Sequence, residues 1–115
     1  MWLTPFPSKI YLMGTAVDMR KSIDGLCIWF LNFVRKSNQP NPLSFCNRQK
    51  DKIKLLYWDG NGFCLFYKRL EKGKFQAVFE KDHVSLTPSE LHFLWQGFNF
   101  KNHPKKKEFF FKNYS

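Results

Sequence analysis

Acidic side chains are scarce in this chain. Nine Asp and Glu stand against 19 Lys and Arg among 115 residues, a formal net charge of +10. That deficit bears on partners rather than on fold, because a strongly cationic protein attracts polyanions, and the commonest inside a cell are nucleic acids. Cysteine is scarce too. Cys27, Cys46 and Cys64 are odd in number and none stands in a C-x-x-C arrangement, which argues against a disulfide framework and for a reducing compartment. Long apolar runs are missing: the longest covers residues 26–34 and contains Asn32, whereas a helix needs about 20 apolar residues to cross a bilayer. The opening MWLTPFPSKIYLMG has no positive charge ahead of its apolar residues and carries two prolines where a signal peptide needs a helix. A cytoplasmic protein is expected.

Catalytic patterns are also lacking. Among the nine carboxylates, Asp18, Asp24, Asp51, Asp59, Glu71, Glu80, Asp82, Glu90 and Glu108, no acidic pair stands out, and metal-assisted phosphoryl transfer needs carboxylates that converge. His83, His92 and His103 share no i, i+4 spacing and the cysteines are scattered, so no zinc site is expected. There is no glycine-rich phosphate loop and no nucleophile elbow. The expectation is a protein without enzymatic activity, metal or cofactor.

What the chain does have is apolar mass: 43% hydrophobic residues and 19% aromatics, with 14 Phe. This is too apolar for a disordered chain, and the length fits one domain that buries roughly two-thirds of its unfolded surface. That domain is expected over residues 1–100. Residues 101–115, with five Lys and one Glu, read as a flexible basic tail.

Periodicity orders the elements. KIYLM, residues 9–13, is a short apolar run closed by Gly14 and reads as a strand. Ile23, Leu26, Cys27, Phe30, Phe33 and Val34 recur at three- and four-residue spacing, which predicts a helix over residues 19–36 with Asp18 capping its positive end. Gly25 within that helix points to a close neighbour. SNQPNP, residues 37–42, ends it. Ile53, Leu55 and Tyr57, then Asp59-Gly60-Asn61-Gly62, then Phe63, Leu65 and Tyr67 make a β-hairpin in which one or both glycines supply the positive φ that a tight turn demands. Phe75, Ala77 and Phe79 alternate after a second turn and predict a third meander strand, and Leu43–Cys46 adds a short strand ahead of the hairpin. Thr87-Pro88-Ser89-Glu90 is a capping box before the stripe Leu91, Leu94, Trp95 and Phe98, with Gly97 as the stop. The fold class is therefore α+β: an N-terminal strand and long helix, a three- to four-stranded antiparallel meander, and a short C-terminal helix over one sheet face.

The basic residues carry the functional signal. Residues 48–74 hold Arg48, Lys50, Lys52, Lys54, Lys68, Arg69, Lys72 and Lys74 against Asp51, Asp59 and Glu71. Lys52 and Lys54 leave the hairpin opposite Ile53 and Leu55, and Lys68 and Arg69 fall near the same end of the partner strand, so the charges are expected to cluster in space. Tyr57, Trp58, Phe66 and Tyr67 are interleaved with them and stack on bases if exposed; the competing reading packs them in the core and leaves the lysines to solvate its rim.

VDMRKSIDGL at residues 17–26, DKIKLLYWDGNGFCLFYKRLEKGKF at 51–75 and VSLTPSELHFLWQGF at 84–98 together resemble the small accessory protein, often labelled TnpB, encoded by the second open reading frame of IS66-family insertion sequences. The resemblance runs over residues 8–98, and its D-M-R-K and K-R-L-E-K-G-x-F strings are specific. It implies an accessory role in DNA transposition beside a separate, larger transposase, with no catalytic role of its own. Asp18, Met19, Arg20, Lys21, Lys52, Lys54, Trp58, Gly62, Lys68, Arg69, Leu70, Glu71, Gly73 and Phe75 match the family's strings, and Arg20 and Lys21 join the basic residues above as candidate nucleic-acid contacts. Two departures stand out. After Asn41-Pro42-Leu43-Ser44 the family usually continues through a Gly and an F-x-F strand, so a truncated strand is expected at Leu43–Cys46, and the ending after Phe98 is unlike the family's. The expected function is a non-catalytic transposition protein that binds the nucleic-acid backbone, of DNA with RNA left open, through a basic face. The alternative is an adaptor that docks on the transposase without touching DNA.

Overall fold

The structure is a computed structural model, and it describes residues 9–77, 79 and 82–97. The expected basic tail and the helix-stripe residue Phe98 lie outside the described residues. The elements run β1 (Ile10–Met13), α1 (Ile23–Ser37), β2 (Leu43–Cys46), β3 (Lys52–Trp58), β4 (Phe63–Arg69), β5 (His83–Leu86) and α2 (Pro88–Gln96). One five-stranded sheet has the order β4-β3-β2-β1-β5. The α+β class holds, as do the N-terminal strand, the long helix, the hairpin and the short C-terminal helix.

Alternation sorts the side chains onto two faces. Ile10, Leu12, Cys46, Ile53 and Leu55 pack with Leu91 and Leu94 of α2. Met13, Leu43, Phe45 and Leu56 pack with Leu26, Phe30 and Phe33 of α1. Each helix thus covers one face, and the inner strands β2 and β3 are buried on both, as strands sandwiched between layers must be.

Three local outcomes differ from the sequence reading. The first concerns the third meander strand. The antiparallel meander consists of β2, β3 and β4, and the described residues of the segment with Phe75, Ala77 and Phe79 form no strand. It crosses the end of the hairpin, where the Phe75 amide donates to the Lys50 carbonyl at 2.7 Å and the Leu70 amide to the Asp51 carbonyl at 2.8 Å. Phe75 and Ala77 are buried all the same, so the alternation marked burial rather than strand pairing. The fifth strand is β5, antiparallel to β1. Second, Leu43–Cys46 is no marginal addition: it is four residues long yet central, parallel to β1 on one side and antiparallel to β3 on the other.

Third, α1 starts at Ile23, four residues later than the spacing predicts. The Asp18 carboxylate does not cap it. Instead it accepts from the Arg20 amide at 2.9 Å and from the Arg20 guanidinium at 2.6–3.1 Å, a local turn that competes with helix initiation. The close neighbour expected at Gly25 is local: a Cβ there would meet the Lys21 side chain, four residues earlier, at 3.4 Å. The other end follows the expected chemistry: Asn38 adopts φ 62° and donates its amide to the Val34 carbonyl, a left-handed cap that Asn tolerates.

Candidate nucleic-acid interface

The hairpin register decides where its cations go. Lys52 pairs with Arg69, Ile53 with Lys68 and Lys54 with Tyr67. Directly paired residues share a face, so Lys54 lies on the α1 side and Lys68, opposite core residue Ile53, on the α2 side. Lys54 is only 6% exposed, and its ammonium donates to the carbonyls of Met19 at 2.8 Å and Lys21 at 2.7 Å. Burial pushes its pKa down, partly opposed by the nearby Asp18 charge. The Lys68 ammonium donates to the Trp95 carbonyl at 2.6 Å, in the last turn of α2, where a cation meets the negative helix end. Both lysines tie elements together, and the expected cluster of Lys52, Lys54, Lys68 and Arg69 is thereby divided between two faces.

The remaining candidates are held more loosely. Arg69 pairs with Glu71 at 2.9 Å in the open. Lys74 donates to the Gln49 carbonyl at 2.7 Å, and the Lys50 ammonium sits 5.2 Å from the centre of the Phe79 ring. Lys21, Arg48 and Lys72 are exposed. Lys52 lies 3.4 Å from Asp51, a distance at which a half-exposed pair contributes little.

A groove of about 570 Å³ collects part of this set. One wall is the loop with Asp18, Met19 and Arg20, and the other is the β2–β3 turn with Asn47, Arg48 and Lys52; Tyr67 of β4 also lines it. Three cations meet one carboxylate there. Asp18 is bound to Arg20, whose hydrogen bonds hold its carboxyl at about 2, so it stays ionised at neutral pH while Arg20 keeps 91% of its side chain exposed. Lys54 fixes the first wall from beneath through the Met19 and Lys21 carbonyls. Asn47 fixes the second: its Oδ1 accepts from the amides of Asp51 at 3.1 Å and Lys52 at 3.0 Å, and its Nδ2 donates to Asp51 Oδ1 at 2.6 Å. Sequence reasoning passed over Asn47, although an Asn after a strand with an Asp four residues on is a readable turn signal.

The aromatics divide as well. Tyr57 is buried and Phe66 packs against the α2 core. Tyr67 is 52% exposed and Trp58, at the opposite end of the hairpin, 39%. Of the aromatics proposed to stack, Tyr67 is the one that lines the basic groove. Apart from it, the outer side of α1 exposes Ile28 and Leu31 at 62% and 56%. They are one helical turn apart and therefore neighbours on the surface. Among the described residues no three His, Cys, Asp or Glu are grouped to hold a metal ion, and no helix is long and apolar enough to cross a membrane.

Comparison with known proteins agrees with the motif reading. Two relatives from Sinorhizobium fredii, "Uncharacterized protein y4hO" and "Uncharacterized protein y4jC", are each 28% identical to this chain over 104 residues, covering 85% of it and 86% of their own length. No solved structure matches. The family described as IS66 Orf2 like protein matches residues 8–105, and Asp18, Met19 and Arg20 of the D-M-R-K string that suggested it line one wall of the basic groove. The chain belongs to the IS66 Orf2-like family, and its role is that of an accessory protein in the transposition of an insertion sequence.

Proposed function

We propose that the protein acts without catalysis of its own, in the cytoplasm, by binding the nucleic-acid backbone of its element in the groove of Arg20, Arg48 and Lys52. The observation that supports this most is the convergence of three cations, Arg20 from the loop before α1 and Arg48 and Lys52 from around the β2–β3 turn, on one groove lined by a single carboxylate. Arg20 is paired with Asp18 and Lys52 with Asp51 at the surface, where solvent screens such pairs and a phosphate can compete for them. Arg48 is exposed, whereas the ammonium groups of Lys54 and Lys68 are engaged by backbone carbonyls. Arg69 stands opposite Lys52 across the strands but is matched by Glu71.

Phosphate contacts release counterions, so affinity for duplex DNA falls with salt at a log–log slope of about −0.9 per phosphate neutralised. Replacing both Arg48 and Lys52 with Gln should lower affinity about equally for element ends and for random duplexes, and should flatten the slope by roughly two units if each side chain meets one phosphate. A titration at two salt concentrations reads both. Unchanged affinity and slope would remove the groove reading.

A second reading has its own observation. The exposed pair Ile28 and Leu31 on α1 is the kind of apolar surface that marks a protein interface, and it lies apart from the residues that line the basic groove. In this reading the protein is an adaptor for the separate transposase. Ile28→Lys with Leu31→Lys should then abolish association with the purified transposase while nucleic-acid affinity stays at least as high.

A further inference from the structure

We infer that the basic groove takes an unpaired nucleotide, with its base stacked on Tyr67 and its phosphates facing Arg20, Arg48 and Lys52. The inference rests on the groove reading above and adds to it the class of strand recognised. Its basis is the setting of one ring. Tyr67 stands directly across from Lys54 in the hairpin register, and the Lys54 ammonium lies 4.9 Å from the ring centroid. Lys54 is 94% buried, so that side of the ring is turned to the protein interior, and the 52% exposure of Tyr67 belongs to the side turned to the groove.

A ring held in this way is already ordered. The cation beneath it attracts its face, and the same ammonium is anchored by two carbonyls of the facing wall at 2.7–2.8 Å. Binding a base therefore does not require the ring to be immobilised first, a cost that flexible side chains carry. The platform stands on an edge strand of the sheet, β4, so nothing in the strand order covers its outer edge.

The dimensions and charge select the ligand. At about 570 Å³ the groove has room for a splayed nucleotide beside the ring, whereas the bases of a duplex are stacked on each other and offer the ring no free face. Cations beside an aromatic platform are the recurring arrangement for single strands, in which the groove follows the backbone and the ring takes the base face. Every base has such a face, so the groove discriminates paired from unpaired strands and not one base from another.

The test uses the full chain and fluorescence anisotropy with a labelled single-stranded oligodeoxynucleotide, the same sequence as a duplex, and its single-stranded RNA counterpart. The parent protein should prefer single strand over duplex. Tyr67→Leu should lower single-strand affinity about five- to a hundredfold, leave duplex affinity within about twofold and leave the salt slope unchanged, since no phosphate contact is removed. Tyr67→Phe should keep the single-strand affinity, which separates stacking from loss of fold. A fluorescent purine analogue in the oligonucleotide should be quenched by the parent and the Phe variant but not by the Leu variant. Whichever of the DNA and RNA strands loses affinity on Tyr67→Leu identifies the sugar the groove accepts. If Tyr67→Leu leaves single-strand affinity and quenching intact while Arg48→Gln with Lys52→Gln still weakens binding, the stacking assignment falls and the backbone groove survives. If the Arg48 and Lys52 replacements also change nothing, the groove reading itself is lost.

Discussion

Lys54→Met tests the claim that this lysine is a structural tie rather than a contact for a polyanion. The substitution keeps the length of the apolar stem and deletes the ammonium that donates to Met19 O and Lys21 O. Hydrogen bonds to charged groups contribute about 1.5–3 kcal/mol each, so two of them give a gross loss of about 3–6 kcal/mol. Against this, removing the charge releases the desolvation cost of holding an ammonium out of water, itself several kcal/mol in protein interiors. The orphaned carbonyls belong to a loop with exposed neighbours, Arg20 and Lys21, so water reaches them and the full penalty of a buried orphan is not incurred.

The balance is a loss of about 2 kcal/mol. With a urea m-value of about 1.5 kcal/mol/M, inside the range for small proteins, the denaturation midpoint should fall by about 1.3 M. Loss of the tie should also free the loop. The amides of Arg20 and Lys21, which bond to Asp18, should exchange faster in Lys54→Met than in the parent, beyond what the lower global stability accounts for. Lys52→Gln is the matched control, because its half-exposed pair with Asp51 leaves a change within about 0.5 kcal/mol. A Lys54→Met protein with the parent's midpoint and unchanged exchange at those amides would refute the structural tie.

Three further outcomes follow from the same geometry. Gly60 has φ +83° whereas Gly62 is not in the left-handed region and has open space around it; Gly60→Ala should cost about 1 kcal/mol in chemical denaturation and Gly62→Ala should not, and the reverse order would overturn the turn assignment. Thr87 accepts from the Glu90 amide and Glu90 reaches back to the Thr87 amide, so Thr87→Ala should lose about 1 kcal/mol and Thr87→Ser much less, read by thermal melts of both variants. Burial raises the Cys46 thiol from 9.0 to about 11. Its folded value lies above its unfolded one, so its contribution to stability is whole below about pH 9 and is lost as pH rises through about 11; Cys46→Ala should flatten that alkaline loss, and in the native parent a thiol reagent followed by mass spectrometry should label half-buried Cys27 and Cys64 before Cys46.

The fold was legible where one local rule had no rival. The Asp59–Gly62 region between two alternating runs can only be a hairpin, and the capping box at Thr87 sits where the helix begins. It was less legible where burial and pairing give the same pattern. Phe75 and Ala77 alternate because both reach the core, and nothing in their sequence says that the Phe75 amide bonds to the Lys50 carbonyl instead of to a neighbouring strand. β5 hides for the converse reason: HVSL is four residues long and, as an edge strand, alternates exposed and half-buried positions, so its pairing with β1 depends on a partner more than 60 positions away in sequence.

Which basic residues converge was only partly legible, and the reason is a matter of parity. Once the hairpin turn is placed between Trp58 and Phe63, the register follows, and Lys68 must stand opposite Ile53 while Lys54 stands opposite Tyr67. Two lysines that look equivalent in a charge count thus point to opposite faces of the sheet, each toward a helix end or loop carbonyl that needs a donor. Counting charges treats every lysine as available; a strand sandwiched between two helical layers makes those near its ends into fasteners. The cations that line the groove then come from two places in the chain, Arg20 in the loop before α1, and Arg48 and Lys52 on either side of the β2–β3 turn. Only the parallel β1–α1–β2 crossover brings the loop ahead of α1 against the turn after β2, which is why a face first traced to the hairpin becomes a groove between the hairpin and the D-M-R loop.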